Sequence, residues 1–322
     1  MGVIAGTRTA GALPHAGTLA LTTFTPLVWG STYAVTTEFL PPDRPLFTAL
    51  TRALPAGLVL LAITRTPPRG AWIWRAAVLG VLNIGAFFPM LFLAAYRLPG
   101  GVAAVLGAVG PLFTLGFAAA LLAERPTPRR LLAGLAGVLG VGLVVLRANA
   151  QLDTVGVLAG LAGAASMAAG TVLTKRWGRP DGVSALTLTG WQLTAGGLLL
   201  VPVALLIEGP PPALTGENVL GYVYLGIVGT AIAYWLWFRG LSRLPATSVA
   251  FLTLISPLSA AVIGWAALGQ ALTPLQLLGM AIALGGTLFG QTPARPAVGG
   301  RSPSPGSGPA RQILADESCR TR

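Results

Sequence analysis

The sequence predicts an all-α membrane protein: ten transmembrane helices arranged as two inverted five-helix repeats. Three observations lead there. First, 54% of the 322 residues are hydrophobic and only 9% are charged, against about 25% charged in an ordinary soluble domain. So few charges cannot cover a soluble surface, and the mean hydropathy is +0.75. Second, apolar runs near the length that spans a bilayer as a helix recur along the chain. Third, one half of the chain matches the other at a nearly constant offset. Soluble enzymes, disordered chains and collagen-like chains are excluded by the first observation alone.

The runs fall at 17–39, 45–64, 72–94, 99–123, 129–147, 154–175, 184–207, 218–239, 246–269 and 274–291. Short charged connections separate them. The first run lacks a small-residue cleavage site and reads as a first helix, not a removed signal. From Pro293 onward the chain turns into Pro, Ser, Gly and Arg, which reads as a disordered tail. The expected organisation is therefore an N-terminal segment at 1–16, repeats at 17–147 and 148–291, and a basic tail at 292–322.

Alternate connections differ in charge. One side collects Arg65, Arg69, Arg75, Arg125, Arg129, Arg130, Lys175, Arg176, Arg179, Arg239 and Arg243, with Arg8 and the tail. The other side holds Arg44, Arg97 and Arg147. Basic residues stay cytoplasmic, so both termini are expected in the cytoplasm and the protein in the inner membrane. The net charge of +12 is thus a topology signal, and no nucleic-acid partner is expected. The partners are a small-molecule substrate and the lipid bilayer, with the chain as monomer or homodimer.

The repeat is carried by named residues. Arg97-Leu98-Pro99 recurs 146 residues later as Arg243-Leu244-Pro245. At the same offset Leu79-Gly80 meets Leu225-Gly226, Pro111 meets Pro257, Glu124 meets Gln270, Pro128 meets Pro274 and Gly140 meets Gly286. The second and seventh runs align at 140, with Gly57 on Gly197 and Arg52 on Gln192. Five helices per repeat is an odd number, so the halves are inverted in the membrane, as in many secondary transporters.

Chemistry-bearing residues inside the runs are few. The first run carries Trp29, Thr32 and Tyr33 at helical spacing. Trp29 lies near mid-depth, where an interfacial aromatic belt would not put it. It and Tyr33 read as cavity residues, whereas the threonines serve equally for helix packing. Asn83, with Phe87 one turn on, sits in the middle of the third run. Trp191 and Gln192 occupy the seventh, and Tyr234 and Trp237 the eighth. Amides in hydrocarbon must find partners, either on a neighbouring helix or on a substrate. Arg52 lies inside the second run, and Glu38 at the outer end of the first is its expected partner, as a structural tie or an outer gate. Pro111 and Pro257 are expected in mid-span, as hinges or static kinks. Glu124, beside Arg125, Arg129 and Arg130, reads as an ion-pair cluster at a helix end.

The chain has one His and one Cys, His15 and Cys319. No disulfide, metal or cofactor is expected. No Asp, Glu, His or Lys sits at mid-membrane, so obligatory proton coupling is expected to be weak, and a membrane enzyme acting on lipid-linked substrates lacks its acid–base groups. A channel-like facilitator remains an alternative to a carrier.

These residues resemble a known family. Trp29-Gly30-Ser31-Thr32, Arg52, and Leu122-Ala123-Glu124-Arg125-Pro126-Thr127 are similar to the EamA domain of the drug/metabolite transporter superfamily, over about residues 17–291. The second half repeats that ending as Leu268-Gly269-Gln270-Ala271-Leu272-Thr273-Pro274. Thr36-Thr37-Glu38-Phe39-Leu40-Pro41-Pro42 and Arg52-Ala53-Leu54-Pro55-Ala56-Gly57 resemble the branch of blue-pigment (indigoidine) exporters. The resemblance implies inner-membrane export of small metabolites, and the aromatic, sparsely polar spans suit small, mostly neutral or aromatic cargo. Gln270, where the family often has Glu, departs from the pattern.

Overall fold

The computed structural model describes residues 12–98, 106–145, 153–268 and 273–291, and all regular structure among them is helical. Helices α1 (Ala12–Phe39) and α2 (Pro45–Thr64) open the chain. The next stretch joins α3 (Ala71–Gly80), a π-helical segment (Val81–Gly85) and α4 (Phe87–Arg97). Helices α5 (Gly110–Leu122), α6 (Pro128–Val145), α7 (Thr154–Trp177) and α8 (Ala185–Ile207) follow. Another composite joins α9 (Gly216–Gly226), a π-helical segment (Ile227–Ile232) and α10 (Ala233–Leu241). Helices α11 (Ala246–Leu252), α12 (Ile255–Leu268) and α13 (Pro274–Gln291) close it.

Six stretches are long and apolar enough to cross a bilayer: Pro45–Thr64, Ala71–Ala94, Thr154–Trp177, Ala185–Ile207, Gly216–Leu241 and Ala246–Ala267. Leu106–Leu122 and Pro274–Gly290 are apolar but shorter. The outer faces are apolar as well: Leu206 is 85% exposed, Leu288 69% and Leu139 67%. Such a surface suits lipid and would be a liability in water.

Local chemistry sets the helix ends. Pro45 starts α2, where a missing N–H costs nothing. The Glu208 carboxylate accepts from the backbone N–H of Leu46 (2.6 Å) and Phe47 (2.9 Å), capping α2 from the other half of the chain. Asp153 and Ser184 cap α7 and α8, and Thr215 with Asn218 forms a reciprocal box on α9.

The two prolines expected in mid-span stand at breaks within their apolar stretches, Leu106–Leu122 and Ala246–Ala267. A turn at Val109 precedes α5, whose first turn holds Pro111. A turn at 253–254 precedes α12, whose third residue is Pro257. A proline in a first turn forfeits no helical hydrogen bond, so each marks a helix restart rather than a kink within a continuous helix.

Repeat-equivalent helices pack against each other. Helices α2 and α8 cross where Gly57 faces the Leu193–Thr194 backbone and Gly197 faces Leu54. Helices α6 and α13 cross where Gly140 faces Gly279 and Ala283, and Gly286 faces Ala133 and Gly137. The two π segments begin 146 residues apart, at Val81 and Ile227, each directly after a Leu-Gly pair.

Candidate functional site

A cavity of about 360 Å³ lies among α1, α4, α5, α7, α10 and the α11–α12 turn. Both halves line it. Trp29, Thr32, Arg52 and Phe87 come from the first, with Phe88 beside them; Met167, Tyr234, Trp237 and Pro257 come from the second. None of the described residues lining it is acidic, and Arg52 alone carries a formal charge.

Aromatic rings build its floor. The Trp29 ring centroid is 5.1 Å from Tyr234 and 5.2 Å from Trp237, and Phe88 meets Tyr234 edge-on at 5.9 Å. Tilted and edge contacts of this kind hold the rings in place. Trp29, Tyr234 and Trp237 come together because steps of three bring Tyr234 and Trp237 onto one face of α10, and α1 packs against that face. Three polar atoms here have no hydrogen-bond partner among the described residues: Thr32 Oγ1, the Tyr234 hydroxyl and Trp237 Nε1.

Arg52 is only 2% exposed, and its position follows from the π segment opposite. A π turn displaces backbone carbonyls from the regular helical ladder. Gly229 O accepts two bonds from the first half, from Trp29 Nε1 at 3.1 Å and Arg52 Nη2 at 3.0 Å. Arg52 Nε also donates to Thr230 Oγ1 at 2.7 Å, and its guanidinium sits 4.7 Å from the Phe88 ring centre. The expected tie to Glu38 is not formed. Glu38 is exposed at the end of α1, and the ion pairs among the described residues are Arg97–Asp153 (3.7 Å) and Arg130–Glu124 (4.0 Å). A backbone carbonyl plus a hydroxyl, with a ring beneath, replaces a carboxylate that would have to stay buried.

The other π segment is held the same way from the second half. Ser166 Oγ donates to Leu82 O at 2.8 Å. Asn83 Nδ2 donates to Gln192 Oε1 at 2.7 Å and to Thr174 Oγ1 at 3.3 Å. Gln192 is the repeat equivalent of Arg52, so equivalent positions on α2 and α8 each reach the other half's π segment. This takes Asn83 and Gln192 out of the cavity lining: they bond each other, leaving Asn83 Oδ1 and Gln192 Nε2 unpartnered. Asn83→Leu should cost about 1–3 kcal/mol because Gln192 is stranded. Asn83→Leu with Gln192→Leu should recover part of that in thermal unfolding, whereas additive losses would deny the coupling.

Trp191 also stands apart from the cavity. Neighbours on a helix point about 100° apart, so when Gln192 faces Asn83, Trp191 faces away. Its Nε1 donates to Thr66 O at 2.6 Å and its ring lies 6.0 Å from Trp72. Nearby, Arg75 lies over Trp72, Trp74 and Trp177 at 5.5–5.8 Å, an aromatic–basic cluster of interfacial character. The Tyr33 side chain lies outside the described residues, as do Gln270 and the tail.

Cross-links sort the helix ends into two groups. At one end Arg97 meets Asp153, Asn218 Nδ2 donates to Phe39 O, and Arg44 Nη1 donates to Glu208 O. At the other, Thr247 Oγ1 donates to Glu124 at 3.0 Å, and Lys175 Nζ donates to Leu241 O (3.0 Å) and Leu244 O (2.9 Å). The cavity reaches toward the first end through Thr36, Ala94, Gly107 and Gly160. Its limit toward the second is the Trp237–Ala250 level. Glu124 thus ties the end of α5 to the start of α11, besides pairing with Arg130. Lys175 completes this arrangement and was outside the site expected from sequence. Lys175 had a readable signal, a cation in a last helical turn where carbonyls end.

Comparison with known proteins accords with this architecture. The chain is 47% identical to Protein PecM of Dickeya dadantii over 257 residues, covering 80% of this chain and 86% of that one. It is 28% identical over 241 residues to the probable terminal-alkyne amino-acid exporter of Streptantibioticus cattleyicolor, covering 72% and 79%. A crystal structure of a protein 23% identical to it has a TM-score of 0.72, covering 85% of this chain and 96% of that one, which shows a shared fold. The description of the EamA-like transporter family matches twice, at residues 18–146 and 154–290, one match in each half. The chain belongs to the EamA-like transporter family.

Proposed function

We propose that this protein is a secondary transporter of the inner membrane that exports small, mostly neutral or aromatic metabolites by alternating access. In this reading ten spans form two inverted repeats, 17–147 and 148–291, with both termini cytoplasmic. The observation that carries it is the aromatic cavity between the halves, extended toward the Arg44 end and stopped before the Glu124 end. Basic connections cluster at the Glu124 end, which makes that end cytoplasmic and the cavity outward-facing. The reciprocal close approaches of equivalent glycines to the partner helix at the α2–α8 and α6–α13 crossings support a two-fold relation between halves that can exchange shapes. The exporter name of one relative supports the direction.

The test is flux in vesicles of purified protein, with cargo found by comparing metabolites retained by cells with and without the gene. Counterflow by preloaded vesicles is expected of a carrier, and its absence would favour a facilitator. Trp29→Ala should lower flux about tenfold, since a lost ring contact is worth about 1.5 kcal/mol. Flux should proceed without a pH gradient; strict dependence on one would overturn weak coupling and point to Glu124.

A further inference from the structure

The chain answers several of its own cations. Arg97 meets Asp153, Arg130 meets Glu124, Arg44 donates to Glu208 O, and Lys175 donates to two carbonyls. Arg75 is met by rings instead. Its guanidinium lies 5.5 Å from the Trp72 ring centre, 5.6 Å from that of Trp74 and 5.8 Å from that of Trp177. Its Nε is shut off from solvent without a hydrogen-bond partner, and no carboxylate among the described residues pairs with it. The rings are set in advance. Trp74 meets Trp177 edge-on at 5.1 Å, and Trp72 lies 6.0 Å from Trp191, which is bonded to Thr66 O. Ring faces attract a cation but leave its charge in place. Arg65, Arg69, Arg176 and Arg179, exposed at the same end, add to that charge. Beside the cluster the outer face is apolar: Ile73 is 61% exposed and Trp74 51%.

We propose that Arg75, Trp72, Trp74 and Trp177 hold the headgroup of an anionic phospholipid, whose hydrocarbon chain lies along the Ile73 face. The charge calls for an anion, and the planar fork of arginine suits a phosphate. Indole N–H groups are donors only, as the guanidinium is, and amphipathic rings favour headgroup depth. A free phosphate would gain nothing from the apolar face, so the lipid is the better occupant. A zwitterionic headgroup would bring its own ammonium to a patch rich in guanidinium. None of the four residues lines the central cavity, so the lipid site does not depend on where cargo binds.

Native mass spectrometry of the detergent-solubilised protein tests this, with palmitoyl-oleoyl-phosphatidylglycerol and the phosphatidylcholine of the same chains as probes. Only the headgroup changes. The first phosphatidylglycerol should bind about fivefold more tightly than the first phosphatidylcholine, the scale of one basic residue beside an anionic lipid. Arg75→Gln should bring the two lipids level while leaving the phosphatidylcholine affinity unchanged, which also reports an intact fold. Arg75→Lys, which keeps the charge, should keep the preference. Trp74→Leu, at a half-exposed position, should narrow it. Arg243→Gln removes the same charge from an exposed position at the same end and should not alter it. Equal binding of the two lipids by the wild type would overturn the site. So would a preference that survives both Arg75→Gln and Trp74→Leu, or one lost equally in Arg243→Gln. Displacement of the bound lipid by an equal concentration of chain-free glycerophosphoglycerol would overturn the lipid as occupant in favour of a free anion.

Discussion

Arg52→Leu should nearly abolish transport and lower thermal stability, and Glu38→Gln should do neither. The guanidinium spans the halves: it starts on α2, ends on Gly229 O and Thr230 Oγ1, and lies over Phe88 at the edge of the cavity. Hydrogen bonds to a charged donor are worth about 1.5–3 kcal/mol each where both partners are buried. Polar ties between membrane helices average less, about 0.6 kcal/mol, because the separated helices find other partners. A loss of about 2 kcal/mol is therefore expected, read as a fall in melting temperature of the detergent-solubilised protein. Arg52→Lys keeps the charge but presents one nitrogen where two are used, and should recover only part. A carboxylate partner at Glu38 would make Arg52→Leu milder when Glu38→Leu is added, because a stranded charge would be removed. The geometry predicts that the second change brings no rescue. Wild-type stability and flux in Arg52→Leu would mean the crossing is held by packing alone.

The case of Arg52 shows what a sequence can and cannot disclose in such a protein. Its depth in the span was readable, as was the need for company in a dry environment. Its partner was not, because reading by side-chain chemistry looks for a carboxylate and the structure supplies a main-chain oxygen. The π segment that offers this oxygen leaves little pattern: Gly226-Ile227-Val228-Gly229 is an ordinary apolar stretch in a membrane helix. The repeat offset nevertheless pairs Val81 with Ile227, and both π segments begin there. The two halves thus share equivalent backbone irregularities where their side chains differ.

Fold class and helix limits were legible for a different reason. Apolar runs and charged connections are imposed by the bilayer itself and leave a strong signal. Within the site the result divides by residue type. Trp29, Thr32, Phe87 and Tyr234 line the cavity, and a large aromatic at mid-depth has few other uses. Amides are ambiguous by nature, because they serve a neighbouring helix as well as a ligand. Asn83 and Gln192 took the first option. Trp191 bonds Thr66 O instead of lining the cavity, because successive positions on a helix cannot share a face.

Gly57→Leu should be the most damaging single change in the helical core, while Gly116→Leu should be nearly silent. A side chain at Gly57 would drive its Cβ into the Thr194 backbone nitrogen, with the Leu193 carbonyl carbon only 2.8 Å away. Its equivalent, Gly197, would meet Leu54 Cα at 2.8 Å. Both obstacles are main chain, which no rotamer change can move. Small residues permit such close crossings in membranes, where packing must replace the hydrophobic drive between helices. Overpacking a buried site costs about 1–3 kcal/mol when side chains can yield, and here they cannot, so the upper end or beyond is expected. Gly116 faces outward with nothing within 4 Å of its would-be Cβ, so leucine there meets only the surroundings. The comparison needs expression level, monodispersity and melting temperature of both variants, made side by side. Separating α2 from α8 would also detach Arg52 from Gly229 and Gln192 from Asn83, because all four ride on this crossing or beside it. Gly57→Leu should therefore lose cargo flux as well as stability, and Gly197→Leu should reproduce both losses. If Gly57→Leu folded and transported like Gly116→Leu, α2 and α8 could not be in backbone contact. The pairing of equivalent helices on which the proposed two-fold relation rests would then be lost with it.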